Sequence, residues 1–299
     1  MNDQPPAPLI TNAPSEIADQ VFVIPDGGVP LVPNVGIVIG SRAALVIDTG
    51  MGPRNGEVVR RHAATLAGDR PLFLTITHFH PEHGYGAQAF TDGPTIVYNH
   101  GQLEELRQKG QPYLEMFRGF GQPVAQQLEG VTLAEPHITF DRAAELLLGG
   151  RSAQLRTWGE AHTRADEIVF LPEQRVLFTG DLVENRCFAI FPWFPPDDAD
   201  VDGDRWIAVL AELERLAPAV VVPGHGEVGD AGVITATREY LELLRSETRR
   251  LAGEGAGEEE VVAELDRSMR ELHPDWAQPE WIASGARYFY AAHGREHSA

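Results

Sequence analysis

Three histidines and a glutamate lie within six consecutive residues, in the run HFHPEH that begins at His78. The mostly apolar residues 72–77 before it predict a buried strand that ends at the histidines. Alternate residues of a strand point the same way, so His78 and His80 can share one metal ion. The proline after them stops the strand, and Glu82 and His83 follow on a turn from which they can reach a second ion. The run therefore predicts a metal site at a strand end.

Three further residues border apolar strands and could complete such a site. His162 precedes one strand, Asp181 ends another, and His225 follows a third in the run VVVPGHG. Functional groups are commonly found at strand ends and in the loops beyond them. A lone histidine in such a place is often only a hydrogen-bonded core residue, so these residues count as candidates because they occur together.

In order along the chain, these motifs resemble those of the metallo-β-lactamase superfamily over most of residues 20–230. The run ALVIDTG, which contains Asp48, resembles the first motif of that family, and HFHPEH resembles its HxHxDH signature. The run AHTRAD at His162 resembles the GHTxGD element, and PGHG resembles the last histidine motif. Asp181 stands at the place of the metal-bridging aspartate. The resemblance implies an α/β fold, a four-layer αββα sandwich, with a ligand pattern like that of glyoxalase II.

The resemblance also implies a role for each motif residue. Asp48 would support the site without binding metal. Glu82 stands where the family usually has aspartate, so it either binds the second ion or misses it and serves as a base. Glu82 and Asp181 are therefore the candidate catalytic carboxylates. Imidazole and carboxylate ligands suit two Zn ions, with Fe or Mn also possible. The implied ligands are His78, His80 and His162 for the first ion, Glu82, His83 and His225 for the second, and Asp181 as the bridge.

Composition narrows the partners and the compartment. The 299 residues include 24 basic and 44 acidic residues, and the net charge of −20 disfavours a nucleic-acid partner. No apolar run is long enough to span a bilayer, so no membrane partner is expected. The only cysteine, Cys187, is interpreted as a small buried residue. A single cysteine excludes an intramolecular disulfide and, with no signal peptide recognisable at the N-terminus, favours the cytoplasm.

The chain divides into a predicted catalytic domain with additions. Residues 1–18 are rich in proline and are predicted to be flexible. Residues 19–230 form the metallo-β-lactamase-like domain, which carries a helical insertion at about 99–145. Residues 231–299 form a C-terminal segment of three predicted helices. This segment could cover the rim of the active site or form a homodimer contact.

Two segments outside the ligand motifs are candidates for the substrate pocket. The loop 188–196 carries four aromatic residues, which either form an apolar pocket wall or seal the core beneath the loop. Both interpretations stay open. The insertion offers Tyr113, Met116, Phe117 and Phe120 to the same cavity.

Together these features predict a metal-dependent hydrolase that uses metal-activated water. Its substrate would be a small organic ester, thioester, lactone or lactam. Two alternatives remain. One is a non-hydrolytic metalloenzyme on the same fold, such as a di-iron oxidoreductase, and the other is a non-catalytic metal-binding protein.

Overall fold

Two β-sheets pack face to face and helices cover both outer faces in the computed structural model, which describes residues 6–195 and 198–296. Three parts of the sequence predictions lie outside these residues. They are residues 1–5 of the predicted flexible segment, Pro196 of the aromatic loop, and residues 297–299 of the C-terminal segment.

The first sheet has seven strands in sequential order. They are β1 (Ser15–Ala18), β2 (Val21–Ile24), β3 (Val35–Ile39), β4 (Ala44–Ile47), β5 (Leu72–Thr75), β6 (Thr95–Asn99) and β7 (Ile138–Phe140). Strands β1 to β4 pair antiparallel, whereas β4 to β7 pair parallel. The switch at β4 brings the carboxyl ends of β4 and β5 to the same edge.

The second sheet has five strands in the order β12-β11-β10-β9-β8. They are β8 (Ala143–Leu147), β9 (Ser152–Thr157), β10 (Glu167–Leu171), β11 (Val176–Gly180) and β12 (Val220–Pro223). Only β11 and β12 pair parallel in this sheet. Their carboxyl ends therefore also share one edge.

Eight α-helices surround the sheets in the described part of the chain. They are α1 (Gly52–Ala67), α2 (Pro81–Gly84), α3 (His100–Arg118), α4 (Gln122–Gln127), α5 (Gly203–Arg215), α6 (Gly232–Gly253), α7 (Glu258–Leu272) and α8 (Trp281–Glu296). Helix α3 starts with a capping box, in which Asn99 and Gln102 each accept the other's backbone N–H at 3.0 Å. Within residues 6–195 and 198–296, no helix has the length and apolarity to cross a membrane.

Alternation along the strands separates three apolar layers. In β4, Leu45 faces the second sheet while Val46 faces the helices on the first sheet. In β10, Val169 faces the first sheet while Ile168 packs toward α5 and α6. Strands buried on both faces are apolar at every position, which explains why they lack an alternating polar pattern in the sequence. The arrangement confirms the predicted four-layer sandwich with a helical C-terminal segment.

Two segment predictions need correction. Residues 15–18, predicted to be flexible, form the edge strand β1, and Ile10 is buried against the first core. The polar, mostly exposed sequence of this strand gave no apolar signal, because an edge strand is held mainly by its backbone bonds. The insertion is helical only through residue 127, since β7 and β8 then return the chain to the two sheets.

Candidate metal centre

Parallel pairing brings the distant ligand motifs together. Strand β4 pairs with β5 so that Ile47 lies opposite Thr75, which sets Asp48 beside the histidine run. Strand β11 pairs with β12 so that Gly180 lies opposite Pro223. The residues that follow, Asp181 and His225, therefore emerge side by side.

The first predicted ligand group converges in the structure. His78, His80, His162 and Asp181 are buried, and their ligand atoms lie within 4.8 Å of one another. The distances are 3.0 Å from His78 Nε2 to His80 Nδ1, and 3.8 and 3.9 Å from Asp181 Oδ2 to His78 Nε2 and His162 Nε2. Two ligands of one tetrahedral zinc ion, each about 2.0–2.1 Å from it, would be roughly 3.4 Å apart. The group therefore has the size of a single-ion site.

The second predicted group lies on the other side of Asp181. Glu82, His83 and His225 are buried and offer atoms within 4.8 Å of one another. Asp181 Oδ2 lies 3.7 Å from His225 Nε2, and Asp181 Oδ1 lies 3.3 Å from His83 Nε2. Asp181 thus adjoins both groups, as the bridging role requires. The longer side chain of Glu82 does not remove it from the cluster.

The donor atoms fit metal ions chemically. Among the described residues, buried atoms without a hydrogen-bond partner include Glu82 Oε2, His162 Nε2, His225 Nε2 and both carboxylate oxygens of Asp181. Leaving such atoms unpaired is costly, and divalent ions would satisfy all of them. The structure therefore supports two adjacent cation sites within one cluster.

Electrostatics favour the metal-binding forms of His78, His80 and Asp181, whereas in His83 the carboxylates of Asp181 and Asp48 outweigh burial and hold the imidazole pKa well above its usual value. Burial, followed by the neighbouring imidazoles, lowers the pKa of His78 and of His80 well below the usual value, so both are neutral. Burial opposes ionisation of Asp181, but the imidazoles of His83 and His225 hold its pKa well below the ordinary range. Burial raises the pKa of Glu82.

Hydrogen bonds from outside the ligand set orient the imidazoles. His83 Nδ1 lies 2.9 Å from Asp48 Oδ2, and His162 Nδ1 lies 3.0 Å from the carbonyl oxygen of Ile190. With Nδ1 engaged as a donor, each Nε2 keeps a free lone pair for a metal. Asp48 also accepts bonds from the backbone N–H and hydroxyl of Thr77, at 2.7 and 2.9 Å. The structure therefore gives Asp48 the supporting place that the resemblance implies.

Gly224 and Asn34 hold in place the loop that carries His225. A Cβ on Gly224 would lie 1.8 Å from Asp181 Oδ1, so only glycine fits there. The Asn34 side chain donates to the carbonyls of Pro223 and Gly226 at 3.0 and 2.8 Å. Sequence reasoning missed Asn34, because no pattern near it indicates a contact with a loop 189 residues away. The glycine before His225, in contrast, is part of the PGHG run.

An apolar cavity opens onto the candidate metal centre. It has a volume of about 290 Å³, and the ligands His80, Glu82 and His225 lie at one end. The rest of its wall is mainly apolar and aromatic. The four insertion residues proposed from the sequence all line it: Tyr113, Met116, Phe117 and Phe120.

The aromatic loop divides between the two interpretations left open by the sequence. Phe188 and Phe191 are buried in the core, and Trp193 packs against Tyr288 with ring centroids 5.9 Å apart. Phe194 instead lines the cavity. Within one loop, therefore, some aromatic residues seal the core and another forms the pocket wall.

The C-terminal segment takes part in the site. Gln278 and Trp281 line the cavity, and Ser284 donates to the carbonyl oxygen of Phe191 at 2.7 Å. The segment thus covers the rim of the site, while the homodimer contact stays a prediction. Cys187 is also packed against this segment, and burial raises the pKa of its thiol to about 12, as suits an unreactive core residue.

Comparison with known proteins identifies the family. Residues 28–225 match the Metallo-beta-lactamase superfamily. The chain belongs to the metallo-β-lactamase superfamily. Among solved structures, the stereoselective inverting sec-alkylsulfatase Pisa1 from Pseudomonas sp. superposes with a TM-score of 0.73, at 17% identity, over 97% of this chain and 53% of that one. That similarity shows the fold.

Curated superfamily relatives differ in their named activities. The chain is 24% identical to a linear primary-alkylsulfatase of Pseudomonas sp. (strain ATCC 19151), over 74% of this chain and 47% of that protein. It is 24% identical to a type 2 metallo-beta-lactamase of Bacteroides fragilis, over 78% and 84%. It is also 24% identical to the acyl-coenzyme A thioesterase MBLAC2 of Homo sapiens, over 64% and 72%. The chain spans about half the length of the alkylsulfatases. These relatives support a metal-binding hydrolase at the level of the superfamily.

Proposed function

We propose that the protein is a dinuclear metal-dependent hydrolase of uncharged esters, thioesters or lactones that carry an apolar group. The observation that carries the proposal is the cavity of about 290 Å³ whose mainly apolar wall includes the candidate ligands His80, Glu82 and His225. A substrate that buries its apolar group in this cavity brings its reactive bond to the metal ligands.

The charge of the cavity favours a neutral substrate. Among the described residues that line it there is no lysine or arginine, whereas Glu82, Asp198 and Glu280 contribute carboxyl groups. Lys109 lies near the wall, but its ammonium group is bound by Asp198 at 2.8 Å and by Asp200 at 2.9 Å. An anionic substrate would therefore find counter-charge only at the metal ions, and a neutral ester avoids this mismatch.

The chemistry divides between the ions and the chain. Divalent ions in such a centre supply Lewis acidity and turn water into a nucleophile at neutral pH. The imidazoles of His78, His80 and His162 would hold the first ion, with Zn the ion best suited to these ligands. If Glu82 Oε2 is not coordinated, it can accept the proton of the attacking water. The apolar walls exclude bulk water from the reacting bond.

A sulfate ester is the second candidate substrate class. It is favoured by the superposition with the sec-alkylsulfatase, which extends over 97% of this chain and so includes the C-terminal helices. An alkyl chain would also suit the apolar cavity. The two candidates differ in the charge of the group attacked, which is neutral in a carboxylic ester and permanently anionic in a sulfate ester.

Two substrates with the same p-nitrophenol leaving group, together with a sulfate ester that carries an apolar chain, separate these candidates. We expect kcat/KM for p-nitrophenyl octanoate to exceed that for p-nitrophenyl sulfate and that for an octyl sulfate, each measured with Zn- and with Mn-loaded protein. The double variant His78→Ala/His80→Ala is the control for activity that does not depend on the centre. Faster cleavage of either sulfate would reject the preference for neutral substrates. A thioester, a lactone and a lactam complete the panel.

Metal analysis distinguishes the remaining alternatives. A di-iron oxidoreductase would be purified with iron and a redox-active visible spectrum. A non-catalytic protein would hold its metal, or fold without metal, and cleave nothing in the panel. Two Zn or Mn ions per chain together with ester cleavage would support the proposed hydrolase.

A further inference from the structure

Glu184 is a buried glutamate near the metal centre that belongs to neither ligand group. It lies three residues after Asp181, in the segment that leaves β11, and its side chain is only 3% exposed. One carboxyl oxygen, Oε2, accepts the backbone N–H of Ile190 at 3.0 Å. The other, Oε1, is buried and has no hydrogen-bond partner among the described residues. Burying a carboxyl group in this way is costly, so a structural or functional gain is expected from it.

The backbone of Ile190 connects Glu184 to a candidate ligand. While the N–H of Ile190 donates to Glu184, the carbonyl oxygen of Ile190 lies 3.0 Å from His162 Nδ1. The order of contacts is therefore the Glu184 carboxyl, the Ile190 residue and the His162 imidazole. The same Ile190 lines the substrate cavity. One side chain thus reaches both the first cation site and the pocket wall through a single residue.

The other contacts of Glu184 hold it in place. On α6, the Thr237 hydroxyl lies 3.5 Å from the Glu184 carbonyl oxygen and 3.0 Å from the carbonyl oxygen of Val233, its nearer acceptor. The neighbouring Asn185 donates its backbone N–H to the carbonyl oxygen of His225 at 3.1 Å. The segment therefore lies against α6 and is hydrogen-bonded to the loop that carries a ligand of the second cation site.

We infer that Glu184 is a positioning residue, which holds Ile190 so that its carbonyl orients His162 and its side chain shapes the substrate cavity. The inference rests on the proposed metal centre. Its physical basis is that a ligating histidine depends on the acceptor bound to its other ring nitrogen, whose loss typically weakens metal binding about 10–100-fold. If the Ile190 carbonyl moves, the His162 imidazole loses that acceptor.

Two conservative variants of Glu184 separate the effect of side-chain length from the effect of the acidic group. Glu184→Gln keeps the length of the side chain and an oxygen that can accept from Ile190, but removes the acidic group. Glu184→Asp keeps the acidic group but is one methylene shorter, which draws its oxygens away from the Ile190 N–H. Positioning through the hydrogen bond predicts that Asp is the damaging change. A purely electrostatic effect of a nearby carboxylate on the ions predicts the reverse.

The measurement is stepwise Zn binding, by competition with a chromophoric chelator, on the full chain. We expect Glu184→Asp to weaken binding at one of the two sites by about tenfold or more and to leave the other close to the wild type. Glu184→Gln should bind like the wild type. In ¹⁵N-histidine-labelled protein, the protected Nδ1–H signal of His162 should persist in the Gln variant and be lost or shifted in the Asp variant.

A matched control variant tests whether the effect on metal binding is specific to Glu184. Glu167 is another buried glutamate, bonded to Thr75 and Asn99 rather than to Ile190, so Glu167→Asp should leave both binding constants unchanged. The inference is overturned if Glu184→Asp binds both ions like the wild type, if Glu184→Gln loses as much as Glu184→Asp, or if the two sites weaken equally. Failure of the wild-type protein to bind two ions would instead overturn the proposed metal centre.

Discussion

Changing Asp48 to asparagine should weaken metal binding, because His83 would then carry its proton on Nε2, the nitrogen that is needed for the metal. Asp48 Oδ1 accepts from the Thr77 N–H at 2.7 Å, and Oδ2 lies 2.9 Å from both the Thr77 hydroxyl and His83 Nδ1. Asparagine has one acceptor oxygen where aspartate has two. If that oxygen keeps the Thr77 N–H, the new NH₂ group faces His83 Nδ1. His83 must then accept there and carry its proton on Nε2, the atom needed for the metal.

The size of the effect follows from the bond that is lost. A hydrogen bond to a charged group is worth about 1.5–3 kcal/mol, and each 1.4 kcal/mol is about tenfold in an equilibrium constant. Binding at the site of His83 should therefore weaken by about 10–100-fold, the usual range for a residue that supports a ligand. The site of His162 should change much less, because its Nδ1 is bound to Ile190 instead.

Chelator-competition titration of Asp48→Asn with Zn would measure both stepwise constants. Asp92→Asn is the matched control, since it makes the same charge change at an exposed loop residue. Thermal unfolding of the metal-free proteins would confirm that both variants fold. Two stepwise constants equal to those of the wild type in Asp48→Asn would refute the tautomer argument.

Three further results are expected. Protein loaded with excess Zn or Mn should hold about two ions per chain, and a single ion that never rises under excess metal would show that Glu82 does not complete the second site. Phe120→Ala, at a residue 51% exposed on the cavity wall, should raise KM for p-nitrophenyl octanoate about fivefold, for a loss of about 1 kcal/mol of apolar contact, with metal content unchanged. Trp193→Ala is its control and should leave KM unchanged, because Trp193 packs against Tyr288. Burial raises the pKa of Glu167 well above its usual value, so the unfolded chain loses this proton at a lower pH than the folded protein does. The unfolding free energy of the wild type therefore falls as pH rises, and that of Glu167→Gln relative to the wild type should increase from about pH 5 to about pH 8. Parallel pH profiles in urea unfolding would contradict this.

The sequence was most informative where strands end in polar residues. Each implied ligand, from His78 to His225, lies at or near a strand end in the structure, and the seven form one buried cluster. Two regularities made this readable. Apolar runs long enough to be central strands are easy to recognise. Histidines and carboxylates that recur at the ends of such strands indicate a common metal site. The resemblance to the superfamily then supplied the pairing of ligands that spacing alone cannot give.

Contacts between distant segments could not be read in the same way. Asn34 and Glu184 look like ordinary polar residues in the sequence, and their roles depend on loops that only the fold brings to them. The edge strand at residues 15–18 lacked an apolar pattern, because its backbone bonds rather than its side chains hold it. The aromatic loop was ambiguous for a related reason. Core and pocket use the same side chains, and only position separates Phe191 from Phe194.

The candidate ligands come from both sheets, so bound ions would hold the two sheets together as well as serve the chemistry. The histidine run follows β5 of one sheet, while Asp181 and His225 follow β11 and β12 of the other. Ions held between them would clamp the two halves of the sandwich at one edge, so binding free energy would become folding free energy. Removing the metal would first loosen the contact between the two sheets at this edge. The edge that needs most precision for catalysis would then also be the one whose rigidity depends on the supply of metal.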